Sequence, residues 1–130
     1  MGKITTLDRM IKDIEPLLLG ELREDYNTLS FIKGFVHEGL NLPEKLELMT
    51  EAQKRLQFKM TIAFIYHLLK NRNVKMFQLE REAREDGSRF LNIVEVESTP
   101  EEAVNKMRAN WSNYGIADDQ VDEPWFKIEK

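Results

Sequence analysis

Residues 43–72, PEKLELMTEAQKRLQFKMTIAFIYHLLKNR, decide the fold. Pro43 suits a first helical position, where its missing N–H would lack a partner anyway, with Asn41 or Leu42 as the cap. Glu44 and Glu47 then fall near the positive end of the helix dipole, and Lys70 and Arg72 near the negative end. Glu51, Arg55 and Lys59 follow one another at i,i+4 and mark a wet face. Leu46, Met49, Ala52 and Leu56 recur at helical spacing, which predicts a stripe turned to a core. From Phe58 to Leu69 (FKMTIAFIYHLL) two stripes coexist, Phe58, Ile62, Ile65 and Leu69 beside Leu56, Met60, Ala63 and Leu68. A helix apolar nearly all round is buried nearly all round. The run is interrupted by Lys59, Thr61 and His67 and falls short of the roughly 20 apolar residues a bilayer demands. It predicts a long central core helix.

Bulk composition narrows the class. A chain of 130 residues and 15.4 kDa, with 42% apolar and 32% charged residues, suits one soluble globular domain over 1–130. Its parts are a helical 1–72 and a hairpin, helix and strand in 73–130. The absence of cysteine excludes disulfides, thiolate metal sites and thiol catalysis. No apolar secretory segment opens the chain, so a cytoplasmic location is the expectation. Residues 41–75 carry seven basic and three acidic side chains, whereas 76–130 carry seven basic and thirteen acidic. Basic middle and acidic end could each steer a charged partner. The net charge of −4 argues against broad non-specific nucleic-acid binding.

Before the central stretch, Thr5 or Thr6 can cap a first helix carrying Ile4, Leu7, Ile11, Ile14 and Leu18. Pro16 breaks or kinks it. Asn27 to Glu38 predicts a second helix with Leu29, Ile32 and Val36 inward and Gly39 at its C′ position, turning directly into the central helix. After Asn73 the period becomes two. Val74, Met76, Phe77 and Leu79 form a strand with a phase slip at Met76–Phe77 that suggests a bulge or an early end to pairing. Asp86-Gly87 supplies a turn, and Arg89 to Glu97 returns as the second strand of a hairpin. Thr99-Pro100-Glu101-Glu102 combines cap, first-position Pro and an N3 acid, a strong helix start. Pro100, Val104, Met107, Trp111 and Tyr114 share the following face, and Gly115-Ile116 suits its end. Ala117 to Pro124 reads as an acidic loop and Trp125 to Ile128 as a short last strand. The fold class is α+β.

Chemistry-bearing groups are sparse. His37 and His67 lack acids at ligand spacing, and no GxSxG, Walker loop, GxGxxG or HExxH appears. Asp118, Asp119, Asp122 and Glu123 do not follow EF-hand spacing. No cofactor and no metal are expected. Trp111, Tyr114, Trp125 and Phe126 gather late in the chain beside acids, as aromatic anchors of protein interfaces do; the plainer reading has Trp111 cover the sheet and Trp125 close the core. The leading expectation is a non-enzymatic interaction or regulatory domain, an inhibitor or accessory factor acting on another protein through surface complementarity. Homodimerisation would cover surplus apolar surface on the central helix. The alternative is a winged-helix-like nucleic-acid binder, with Lys54, Arg55 and Lys59 on the helix and Arg81, Arg84 and Arg89 on the wing. Glu80, Glu82, Glu85 and Asp86 interrupt that wing with charge that repels phosphate.

Overall fold

The structure, a computed structural model, describes residues 6–83, 85–87, 89–111 and 124–128. Among them the chain is α+β, with five α-helices and a four-stranded antiparallel sheet. Helices α1 (Thr6–Asp13) and α2 (Glu15–Glu24) meet at Ile14, where Pro16 removes one backbone donor. The inward face survives the break. Met10, Ile14, Leu18 and Leu22 are all buried at four-residue spacing, so α2 continues the stripe of α1 through Gly20.

Strand β1 (Asn27–Thr28) precedes α3 (Leu29–Gly39). The second helix therefore starts two residues later than its periodicity predicts. Asn27 pairs with Phe126 and Thr28 with Trp125, while the Thr28 hydroxyl accepts from the Phe31 N–H at 3.3 Å. Gly39 is not the left-handed C′ residue. That role falls to Asn41 (φ 54°), with Asn41 N–H donating to the Glu38 carbonyl and Leu42 N–H to the His37 carbonyl, a Schellman ending. Gly39 has a different use. A Cβ there would lie 2.1 Å from Ile14 Cδ1, so the missing side chain lets α3 settle on the α1–α2 junction.

The central helix α4 (Glu51–Asn71) begins eight residues after Pro43. Thr50 Oγ1 accepts from Gln53 N–H at 3.1 Å, and the Gln53 side chain accepts from Thr50 N–H at 2.9 Å. This capping box satisfies two orphan donors, whereas Pro43 follows a leucine that can satisfy none. Residues 43–50 form a connection with a short 3₁₀ turn at Leu46–Leu48, so α3 does not turn directly into α4. The predicted inward stripe fails in part for the same reason: Met49 is buried, but Ala52 and Leu56 are exposed. From Gln57 onward the helix is enclosed on several sides, with Met60, Thr61, Ile62, Phe64, Ile65 and Leu68 buried.

Strands β2 (Val74–Ala83) and β3 (Arg89–Glu95) form the hairpin, with Gly87 at φ 87° in the turn. The predicted bulge at Met76–Phe77 is absent. Continuous pairing of Phe77 with Glu95 and Gln78 with Val94 shows instead that both faces are used. Met76 joins the core beneath the helices, and Phe77 meets Tyr26 edge-on at 5.0 Å on the other face. Helix α5 (Pro100–Asn110) carries the expected Thr99–Glu102 capping box and buries Ala103, Val104 and Met107. Its proposed ending at Gly115-Ile116 lies outside the described residues, as does the acidic loop. Strand β4 (Trp125–Ile128) completes the sheet in the order β1-β4-β2-β3, the last strand lying between two earlier ones. One apolar cluster draws on helices α1 to α5 and on β2 and β4. No helix among the described residues is long and apolar enough to cross a membrane.

Candidate interaction surfaces

A groove of about 740 Å³ runs between α4 and α5, with Leu7 of α1 at one side. Ile62, Ala63 and Val104 give it an apolar floor, and Lys59, Lys70 and Arg108 line it with positive charge. Their spacing follows from the helices. Lys59, Tyr66 and Lys70 recur at seven and four residues along one flank of α4, and Glu101, Asn105 and Arg108 at four and three residues along α5. Glu101 is the acid of the lining. Its carboxylate accepts the Tyr66 hydroxyl at 2.7 Å, and Lys70 Nζ donates to that hydroxyl at 3.4 Å. The Tyr66 hydrogen bond, helped by Glu101's own backbone and by Lys70, holds the Glu101 carboxyl below the usual carboxylate range. Arg108 donates to Asn105 Oδ1 at 2.9 Å.

His67 and Asn71 also line the groove. His67 Nε2 lies 3.2 Å from Glu15 Oε1, and Asn71 Nδ2 lies 3.2 Å from His67 Nδ1. Arg72 donates to the same Glu15 oxygen through Nε. A carboxylate only accepts and an amide nitrogen only donates, so the geometry places the imidazole proton on Nε2. Glu15 is buried and already bonded to two donors, which makes it a tie between α2 and α4. His37 is held comparably. Its Nε2 donates to the Pro43 carbonyl at 2.7 Å, and Gln57 Nε2 donates to Nδ1 at 2.8 Å. Pro43, predicted to start a helix, instead anchors the connection to α3. Gln57 and His67 are ten residues apart on α4, roughly 15 Å along its axis, so the two histidines serve separate junctions. No group of three or more metal-ligating side chains occurs among the described residues.

The predicted site residues are scattered. Phe126 is fully enclosed in the core, where no partner can reach it. Trp125 lies opposite Phe77 on the other sheet face, part-exposed, and its indole N–H has no hydrogen-bond partner among the described residues. Trp111, at the end of α5, packs on Phe58 of α4 with ring centroids 4.8 Å apart, and Lys33 of α3 lies over it. It bridges helices and does not cover the sheet. Tyr114 and Arg84 lie outside the described residues. Lys54 pairs with Glu51 at 3.4 Å on the exposed start of α4, where Arg55 also sits, and Lys59 enters the groove. Arg81 and Arg89 occupy paired positions opposite Leu91 and Ala83 in the hairpin. Sequence reasoning missed Tyr66, Glu101, Asn105 and Arg108 as one site, because only the α4–α5 packing joins them; their recurrence along two helix flanks was the one local signal. No protein-family model, curated protein or solved structure matches the chain.

Proposed function

We propose that the chain is a non-enzymatic interaction domain that receives an acidic, partly apolar segment of another protein in the groove between α4 and α5. One observation carries this reading: an apolar floor lies among Lys59, Lys70 and Arg108, while the acid in the lining, Glu101, is engaged by Tyr66. Complementary charge gives such a site orientation and speed of association, and burial on the floor gives it affinity. The late aromatics enter differently from the sequence expectation. Trp111 steadies α5 against α3 and α4, and so fixes one wall of the groove.

The test uses amphipathic peptides of matched apolar content with acidic or neutral polar faces, measured by fluorescence anisotropy. Acidic peptides should bind more tightly, lose affinity with salt, and fail on a Lys59→Glu, Arg108→Glu variant of unchanged thermal stability. Equal binding of both peptide sets would overturn the reading. The winged-helix alternative has less support, because α4 from Gln57 to Leu68 is largely core and only its first turns are free to approach a duplex. Salt-sensitive retention on duplex DNA, abolished by Arg84→Glu with Arg89→Glu, would favour it instead.

A further inference from the structure

Strand β3 is an edge. The sheet order leaves its outer side without a strand among the described residues, and Ile93 and Val94 are 40% and 39% exposed. The opposite edge, β1, is only two residues long, whereas β3 has seven. Long edges are normally blunted by charged side chains, Pro or a bulge, and the sequence 89–95, RFLNIVE, has charge only at its two ends and no Pro. β4 pairs with β2 only from Val74 to Phe77, so the rest of the hairpin is a two-stranded arm. Such an arm is marginally stable alone.

Which backbone groups face outward follows from one hydrogen bond. Val96 N–H donates to the Met76 carbonyl at 2.9 Å, so even-numbered residues of this strand point their backbone groups at β2. Arg89, Leu91, Ile93 and Glu95 therefore present theirs to the open side. The sequence is also self-complementary about Asn92: a cation at 89 mirrors an anion at 95, Phe90 mirrors Val94, and Leu91 mirrors Ile93.

We infer that β3 pairs antiparallel with β3 of a second copy, Asn92 opposite Asn92, to form one continuous eight-stranded sheet. In that register Arg89 falls opposite Glu95 of the other copy and Leu91 opposite its Ile93, each at a hydrogen-bonding position, giving about eight backbone bonds. The two-fold axis repeats every pair. Phe90 opposite Val94 and Asn92 opposite itself fill the non-bonded positions between. The neighbouring permitted registers fail chemically. Centring on Leu91 sets Arg89 against Ile93 and Phe90 against Asn92, and centring on Ile93 sets Leu91 against Glu95. Lys75 lies 3.3 Å from Glu95 within each chain and leaves a second carboxylate oxygen to accept.

Sedimentation equilibrium over a concentration series tests the pairing. Wild-type protein should show a monomer–dimer equilibrium. Arg89→Glu or Glu95→Arg alone should weaken dimerisation by roughly tenfold or more, since each places two like-charge pairs in the interface. The double variant R89E/E95R should restore it, which also shows that the single variants fail by charge and not by misfolding. Ile93→Pro removes an outward N–H and no bond to β2, so it should give a folded monomer with unchanged circular dichroism. A protein monomeric throughout, or a dimer indifferent to these changes, would overturn the inference.

Discussion

Glu15 ties two helices together without chemistry of its own. Its side chain is 5% exposed, and removing either donor leaves a buried carboxylate short of a partner. Arg72 is 45% exposed, so water takes over part of its role in a mutant. Arg72→Ala should therefore cost about 1–2 kcal/mol in urea unfolding, below the range for fully buried pairs; a change under about 0.5 kcal/mol would mean that His67 alone suffices. At the groove, Tyr66→Phe should let the Glu101 carboxyl rise toward the ordinary carboxylate range, read by NMR titration. The sign follows from its depressed value in the folded state: the contribution is present above the unfolded carboxylate's titration and is lost as pH falls through the folded one. Tyr66→Phe should flatten that acid-side loss. None of these partnerships was legible in the sequence. Glu15 and His67 are 52 residues apart, and Tyr66 and Glu101 are 35 apart. Local spacing carries no information about such pairs.

Elements were legible where their signals were local and unopposed. Thr99-Pro100-Glu101-Glu102 marks the start of α5 because cap, proline and N3 acid agree, and Asp86-Gly87 marks the hairpin turn. The start of α4 is less legible because Pro43 offers one favourable feature, a suitable φ, while Thr50-Glu51-Ala52-Gln53 offers two reciprocal hydrogen bonds. The bonds prevail. Thr50→Ala should accordingly cost about 1 kcal/mol in chemical denaturation, whereas a comparable loss in Pro43→Ala would reinstate the earlier start. Two glycines of α3 make a second contrast. A Cβ added at Gly34 would meet nothing within 4 Å, so Gly34→Ala should stabilise by about 0.5–1 kcal/mol through helix propensity. Gly39→Ala meets Ile14 and should lose that gain or become destabilising. Melting curves showing equal gains at both positions would mean that α3 does not rest on the α1–α2 junction. β1 was invisible for the opposite reason: two residues are too few for a period, and their pairing is set by β4 at the far end of the chain.

For the molecule as a whole, the decisive feature is that β4, last in sequence, lies between β1 and β2. Its Phe126 sits opposite Met76 in the core layer, while Trp125, one residue earlier, lies on the other face. Adjacent aromatics thus fall on opposite faces of the strand, and their variants should differ too. Phe126→Ala opens a cavity against α2 and β2 and should cost about 3–5 kcal/mol, a large share of the roughly 5–15 kcal/mol that holds a domain folded. Trp125→Ala, on a part-exposed face, should cost clearly less. Removing residues 124–130 is more severe than either. It deprives β1 of its partner, removes the strand paired with Val74 to Phe77 of β2, and uncovers Val74 and Met76. The helices retain their caps and their packing on one another while α2 loses β4, so the truncated chain should keep helical far-ultraviolet dichroism while binding a hydrophobic dye and losing cooperative melting. A sharp thermal transition in that truncated protein would show that the helical layer folds without the sheet's last strand, and that β4 is an addition to the core and not its closure.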